Sequence, residues 1–99
     1  MRTHPGTEAR YRACRATHAV DLDDEVLIWD ARAEQLHRLN PTAARIWREL
    51  SSWRTTTEVA TVMIADADAD ADGSRVASDV ERCVADLAEA GLLEQQDAR

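Results

Sequence analysis

The sequence predicts an α+β domain in which three strands precede three helices. Three observations carry that expectation. The run Glu25-Val26-Leu27-Ile28-Trp29-Asp30 is β-branched and aromatic and is bounded by acids, which is the composition of a strand. The apolar period changes at Asn40-Pro41-Thr42, beyond which apolar residues recur at spacings of three and four. The segments joining the strand candidates are short, so an antiparallel meander is the economical topology. Strands gathered before helices, rather than interleaved with them, indicate segregated layers.

Taken in order, residues 1–15 mix Gly, Pro, His and Arg without periodicity and are expected to form a flexible arm. Thr17-His18-Ala19-Val20 is a weak first strand, and residues 25–30 are the strongest. Asp30-Ala31-Arg32-Ala33-Glu34 reads as a turn without a glycine, and Gln35-Leu36-His37-Arg38-Leu39 as the returning third strand. Asn40 is a good N-cap, and Pro41 at the first helical position has its φ preset. Ala43, Ile46, Trp47 and Leu50 then form one apolar stripe, which places Trp47 between the first helix and the sheet. Thr55 and Glu58 have capping-box spacing for a second helix, with Val59, Val62 and Met63 on one side. An alanine-aspartate stretch, residues 65–72, interrupts the pattern. A last helix is expected from about Ser74 to Ala90, with Val76, Val80, Cys83, Val84 and Leu87 on its apolar stripe. Gly91 is its expected terminating glycine, and Leu92-Leu93 fold back over its end. The domain is thus expected over residues 16–94, with 95–99 as a tail.

Composition narrows the function classes. The chain has 99 residues, one domain's worth, with 12 Lys+Arg against 19 Asp+Glu for a net charge of −7. Such a balance opposes nonspecific phosphate binding, which needs clustered cations. Eighteen of the hydrophobic residues are alanine, with three Trp, one Tyr and no Phe, so the expected core is thin. The strongly apolar stretch 26–29 is far below the ~20 residues of a membrane span. The opening MRTHPGTEARYR lacks the apolar region of a secretory signal. A cytoplasmic protein with no membrane partner is expected. Cys14 and Cys83 sit in no CxxC and are expected to be free thiols, Cys83 as a small core residue. Cys14 and His18, with His4 and His37 elsewhere, make one loose pair, short of the four convergent ligands zinc needs.

The segments Glu25-Val26-Leu27-Ile28-Trp29-Asp30 and Leu39-Asn40-Pro41-Thr42-Ala43, with Ile46-Trp47, resemble the "vvLld…LNetaaxIw" core of the PqqD-like family. Arg54-Thr55-Thr56 with Glu58-Val59 resembles that family's "rTveelv" segment. Val76, Asp79-Val80, Leu87 and Gly91-Leu92-Leu93 resemble its closing "v…Dv…L…GLL". The resemblance covers about residues 18–94 in the family's order and spacing. It implies a winged helix-turn-helix-like fold, a three-stranded antiparallel sheet followed by three α-helices, acting as a RiPP recognition element. Such an element is not an enzyme and carries no cofactor. It binds the leader segment of a ribosomally made precursor peptide as an added strand on the third strand's edge, beside the third helix. It then presents the precursor to a separate modifying enzyme or leader peptidase. A lasso-peptide pathway is the first expectation, and a radical-enzyme or quinone-cofactor pathway the next.

The residues this implies for peptide binding are Gln35, Leu36, His37, Arg38 and Leu39 on the strand. On the helix they are Val76, Asp79, Val80, Cys83 and Asp86. The physics of the pattern agrees, since an edge strand offers unpaired amides and carbonyls to an extended peptide. Asp79, Asp86 and Glu89 add an acidic side that can receive Lys or Arg. Because amides alternate along a strand, His37→Pro and Arg38→Pro are expected to behave oppositely, the turn deciding which is which. The protein is expected to be a monomer when free.

Two rival readings remain distinct. A winged helix invites DNA, but Asp79, Glu81, Asp86 and Glu89 outweigh Arg75 and Arg82 on the last helix, so no nucleic-acid partner is expected. Asp68-Ala69-Asp70-Ala71-Asp72-Gly73 matches the opening of a calcium loop, with Asp79 at its twelfth position. Against calcium, that twelfth residue is a short acid, and Arg75 stands where an apolar residue belongs; no resident metal is expected. No Ser-His-Asp set, phosphate loop or Cys-His pair offers catalysis.

Overall fold

A computed structural model of the chain describes residues 9–67 and 72–96. Its elements run β1 (Arg10–Ala13), β2 (Thr17–Leu22), β3 (Glu25–Asp30), β4 (Gln35–Leu39), α1 (Pro41–Glu49), β5 (Arg54–Thr55), α2 (Thr56–Asp66), α3 (Gly73–Glu89) and β6 (Leu93–Gln96). The expected meander is present as the antiparallel sheet β2-β3-β4. Three helices follow it in the chain, so the α+β class stands.

The helix boundaries follow their signals. Asn40 caps α1, its Oδ1 accepting from the amide of Ala43 at 2.8 Å, with Pro41 in the first turn. Thr55 and Glu58 form a complete capping box on α2, with distances of 3.0 and 2.8 Å. At the end of α3, Gly91 has φ 81°. The amide of Leu92 bonds the carbonyl of Leu87, and that of Gly91 bonds Ala88, both at 3.0 Å. This is a Schellman closure, whose left-handed residue favours glycine, and it swings the buried Leu92 under the helix.

The turns of the meander solve their geometry without glycine. Asp23 and Glu34 take φ values of 58° and 54°, a region that costs side chains energy. After β3 the buried Asp30 carboxylate accepts from the amides of Arg32 at 3.0 Å and Ala33 at 3.3 Å. One side chain therefore organises the turn.

A second sheet, β5-β1-β6, corrects the expectation at both chain ends. Residues 10–13, read as part of an arm, pair with β6 and β5, and Gln95 and Gln96, read as tail, belong to β6. Each of β1 and β6 is four residues long, and although Tyr11, Ala13 and Leu93 pack against the core, so short an alternation does not announce a strand. What holds them is contact between distant parts of the chain. Arg12 Nη2 bonds Glu94 Oε1 at 3.0 Å, and its guanidinium lies 4.4 Å from the Trp53 ring centroid, a cation–π distance.

One core joins these layers. Val26, Ile28 and Leu39 enter it from the sheet, and Ile46, Trp47 and Leu50 from α1. Val59 and Met63 come from α2, and Val80, Val84 and Leu87 from α3. Ala43 is only half-buried while Ala44 is fully buried, so the α1 stripe is rotated slightly from its expected phase. Cys14 is buried and Cys83 is half-buried; both thiols are free.

Candidate functional site

Among the described residues the sheet order leaves β4 at an edge, with β3 on one side and no strand on the other. Its amides can be assigned from the neighbouring hairpin. Leu22 pairs with Glu25 across the two-residue connection Asp23-Asp24, and the pair closing such a hairpin is a hydrogen-bonded one. Alternating from there, Glu25, Leu27 and Trp29 address β2, while Val26, Ile28 and Asp30 address β4. Their partners Leu39, His37 and Gln35 therefore bond to β3. The N–H and C=O groups of Leu36 and Arg38 point to the free edge.

Beside that edge lies a cleft of about 360 Å³. One wall is His37, Arg38 and Leu39, and the other is Asp79, Arg82, Cys83 and Asp86 of α3. Leu87 and Leu92 reach it from the core, and the start of α1 at Asn40 closes one end. On α3 the polar wall is set by helical phase: residues three, four and seven apart share a face. Asp79, Arg82 and Asp86 form no ion pair within the described residues, which leaves an acid-base-acid row facing the cleft.

Two further features make the cleft suited to a ligand. Nε2 of His37 is buried and has no hydrogen-bond partner among the described residues; such an orphan is costly until something bonds it. Burial pushes the Cys83 thiol up, and the nearby Asp86 carboxylate adds to the shift. Cys83 therefore stays protonated near neutrality and serves as a small soft wall rather than a nucleophile.

Of the strand and helix residues expected to bind peptide, His37, Arg38, Leu39, Asp79, Cys83 and Asp86 converge here. Gln35 and Leu36 share the strand but lie outside the cleft, Leu36 on the opposite face. Val76 and Val80 are not brought to it. Val80 is buried in the core, and both valines line a separate hollow with Met63 and Arg45. They sit close to the Asp79 face in sequence, but the helix turns them toward α2. Sequence reasoning missed Arg82, Asn40 and Ala43 as wall residues. The spacing of Arg82 from Asp79 and Asp86 was a signal for it; Asn40 was explained by its cap alone.

Among the described residues no three His, Cys, Asp or Glu groups converge as a metal site. Residues 68–71 of the calcium-like run lie outside the described residues, and Asp72 is engaged as N-cap of α3, accepting from Ser74 at 2.9 Å. Cys14 is buried and accepts from Arg32 Nη2 at 3.1 Å, whereas His18 lies exposed on β2. Among the described residues no helix is long and apolar enough to cross a membrane.

The family model described as Coenzyme PQQ synthesis protein D (PqqD) matches residues 25–93. No curated protein is a significant match. Two similar solved structures are described as "TbiB1 in Complex with the TbiA(beta) Leader Peptide" and "Lasso peptide synthetase B1 complexed with the leader peptide". The first is 24% identical with a TM-score of 0.74, covering 84% of this chain and 94% of that one. The second is 21% identical with a TM-score of 0.71, covering 85% and 96%. At these identities the likeness shows a shared fold across nearly the whole domain.

Proposed function

The chain belongs to the PqqD family, and from that premise we propose that it is a recognition protein for the leader segment of a ribosomally synthesised precursor peptide. It acts by binding, not by catalysis. The leader adds to the edge of β4 as a fourth strand and lies against α3. The protein then presents the precursor to a separate modifying enzyme or leader peptidase.

The observation that carries this reading is the free edge of β4 opening onto the α3 cleft. Outward-pointing amides of Leu36 and Arg38 supply affinity through main-chain hydrogen bonds. His37 Nε2 and the Asp79-Arg82-Asp86 row supply groups that select side chains. Both similar structures are described as complexes with a leader peptide, one of them of a lasso peptide synthetase B1. That supports a lasso-peptide pathway as the setting. A quinone-cofactor pathway is the second reading, favoured by the family's own description.

The test is fluorescence polarisation with the labelled leader of the protein's cognate precursor peptide. Saturable binding in the submicromolar to micromolar range, about 8–9 kcal/mol, is expected, with loss of binding for a scrambled leader. Equal affinity for both peptides would sink the proposal.

A further inference from the structure

Strand addition at β4 leaves one face of the sheet unexplained. Val26, Ile28 and Leu39 turn into the core, so their neighbours of opposite parity turn outward. On that outer face Leu36 is 64% exposed, Val20 57% and Trp29 41%. Cross-strand register sets His18, Trp29 and Leu36 in one row, and Val20, Leu27 and Arg38 in the next. Among the described residues Leu36 is the most exposed large hydrophobic side chain. It also stands on the edge strand itself, with its backbone groups directed to the free side. Contiguous exposed apolar side chains rimmed by polar ones are candidates for an interaction surface.

We propose that the bound peptide is read on both faces of the strand it forms, with an apolar residue level with Leu36 that closes over Leu36 and Trp29. This rests on the strand-addition reading above. Residues level with one another on neighbouring strands project from the same face, with Cβ atoms about 4.5–5.5 Å apart. The peptide residue bonded to Leu36 therefore places its side chain on the outer face, beside the most exposed leucine and one strand from Trp29. Its immediate neighbours turn the other way, into the cleft, where they meet His37 and the Asp79-Arg82-Asp86 row. The next outward residue meets Arg38, whose guanidinium is already engaged by Glu25 at 2.6 Å and presents its hydrocarbon stem. The ligand class is thus an extended segment of period two, apolar on its outward side and charged or hydrogen-bonding on its helix-facing side.

The test uses displayed random peptides of about twelve residues, enough for one strand, selected on the immobilised full-length protein. Parent, Leu36→Lys, Asp79→Lys and Arg38→Pro are compared. The parent is expected to enrich a motif with a fixed apolar position. Leu36→Lys shifts that position from apolar to acidic, and Asp79→Lys shifts basic positions an odd number of residues away. Unchanged preferences with Leu36→Lys, or both lysine variants acting on one position, overturn the two-face proposal. Failure of the underlying reading looks different, because the parental motif then survives on folded Arg38→Pro. No enriched peptide on the parent contradicts both.

Discussion

Arg12 and Glu94, eighty-two positions apart, meet at 3.0 Å and tie β1 to β6. The same carboxylate accepts from the backbone amide of Arg15, also at 3.0 Å. That amide bond, followed by the Arg12 side chain, holds the Glu94 carboxyl below the usual glutamate range. Glu58 is lowered too, first by its bond to the Thr55 amide. A folded pKa below the unfolded value contributes stability above the unfolded value and loses it as pH falls through the folded one. Unfolding midpoints in urea should therefore be flat near neutrality and fall as pH drops below about 4.3, the ordinary glutamate value. Glu94→Gln should lower the neutral midpoint and flatten the acid limb. An acid limb as steep as the parent's would show that Glu94 is not one of its causes.

Trp47 is buried in the core that α1 shares with β3. Trp47→Ala should cost about 3–5 kcal/mol, comparable with the whole stability of a marginal domain. Thermal melting followed by circular dichroism checks this; a variant melting with the parent would contradict the burial.

Glu34 occupies a left-handed backbone position at φ 54° that glycine adopts without penalty. Glu34→Gly should raise stability by about 1 kcal/mol, whereas Asp30→Ala should lower it by about 1–3 kcal/mol by orphaning the turn amides. Denaturant midpoints decide both signs.

Cys83 lines the cleft and Cys14 is buried. Alkylation at mildly alkaline pH, resolved by peptide mass mapping, should modify Cys83 first, and bound leader should slow it several-fold. Equal rates with and without leader would place the peptide elsewhere.

The meander and helices were legible because their signals are local: Asn40-Pro41, the Thr55-Glu58 box and Gly91 each act within a few residues. The β5-β1-β6 sheet was not, because Arg10–Ala13 finds its partners at the far end of the chain and offers the core only Tyr11 and Ala13, too short an apolar pattern to mark a strand. The cleft was half legible. Residues 35–39 and the polar side of α3 could be named, but that Val76 and Val80 line a hollow with Met63 of α2 rather than the cleft depends on how the helices pack. The direction of each β4 amide depended on the Leu22-Glu25 pair, which sequence could not register.

That direction yields the most direct test. His37 spends its amide on β3, and Arg38 offers its amide to the free edge. Proline removes the N–H and is tolerated where it faces outward. Leader affinity should be measured by fluorescence polarisation for Arg38→Pro beside Arg38→Ala, with His37→Pro as the folding contrast. The account predicts a folded Arg38→Pro that has lost the leader, an Arg38→Ala that binds nearly as the parent does, and an unfolded His37→Pro. A folded Arg38→Pro that binds leader with parental affinity would contradict strand addition at β4.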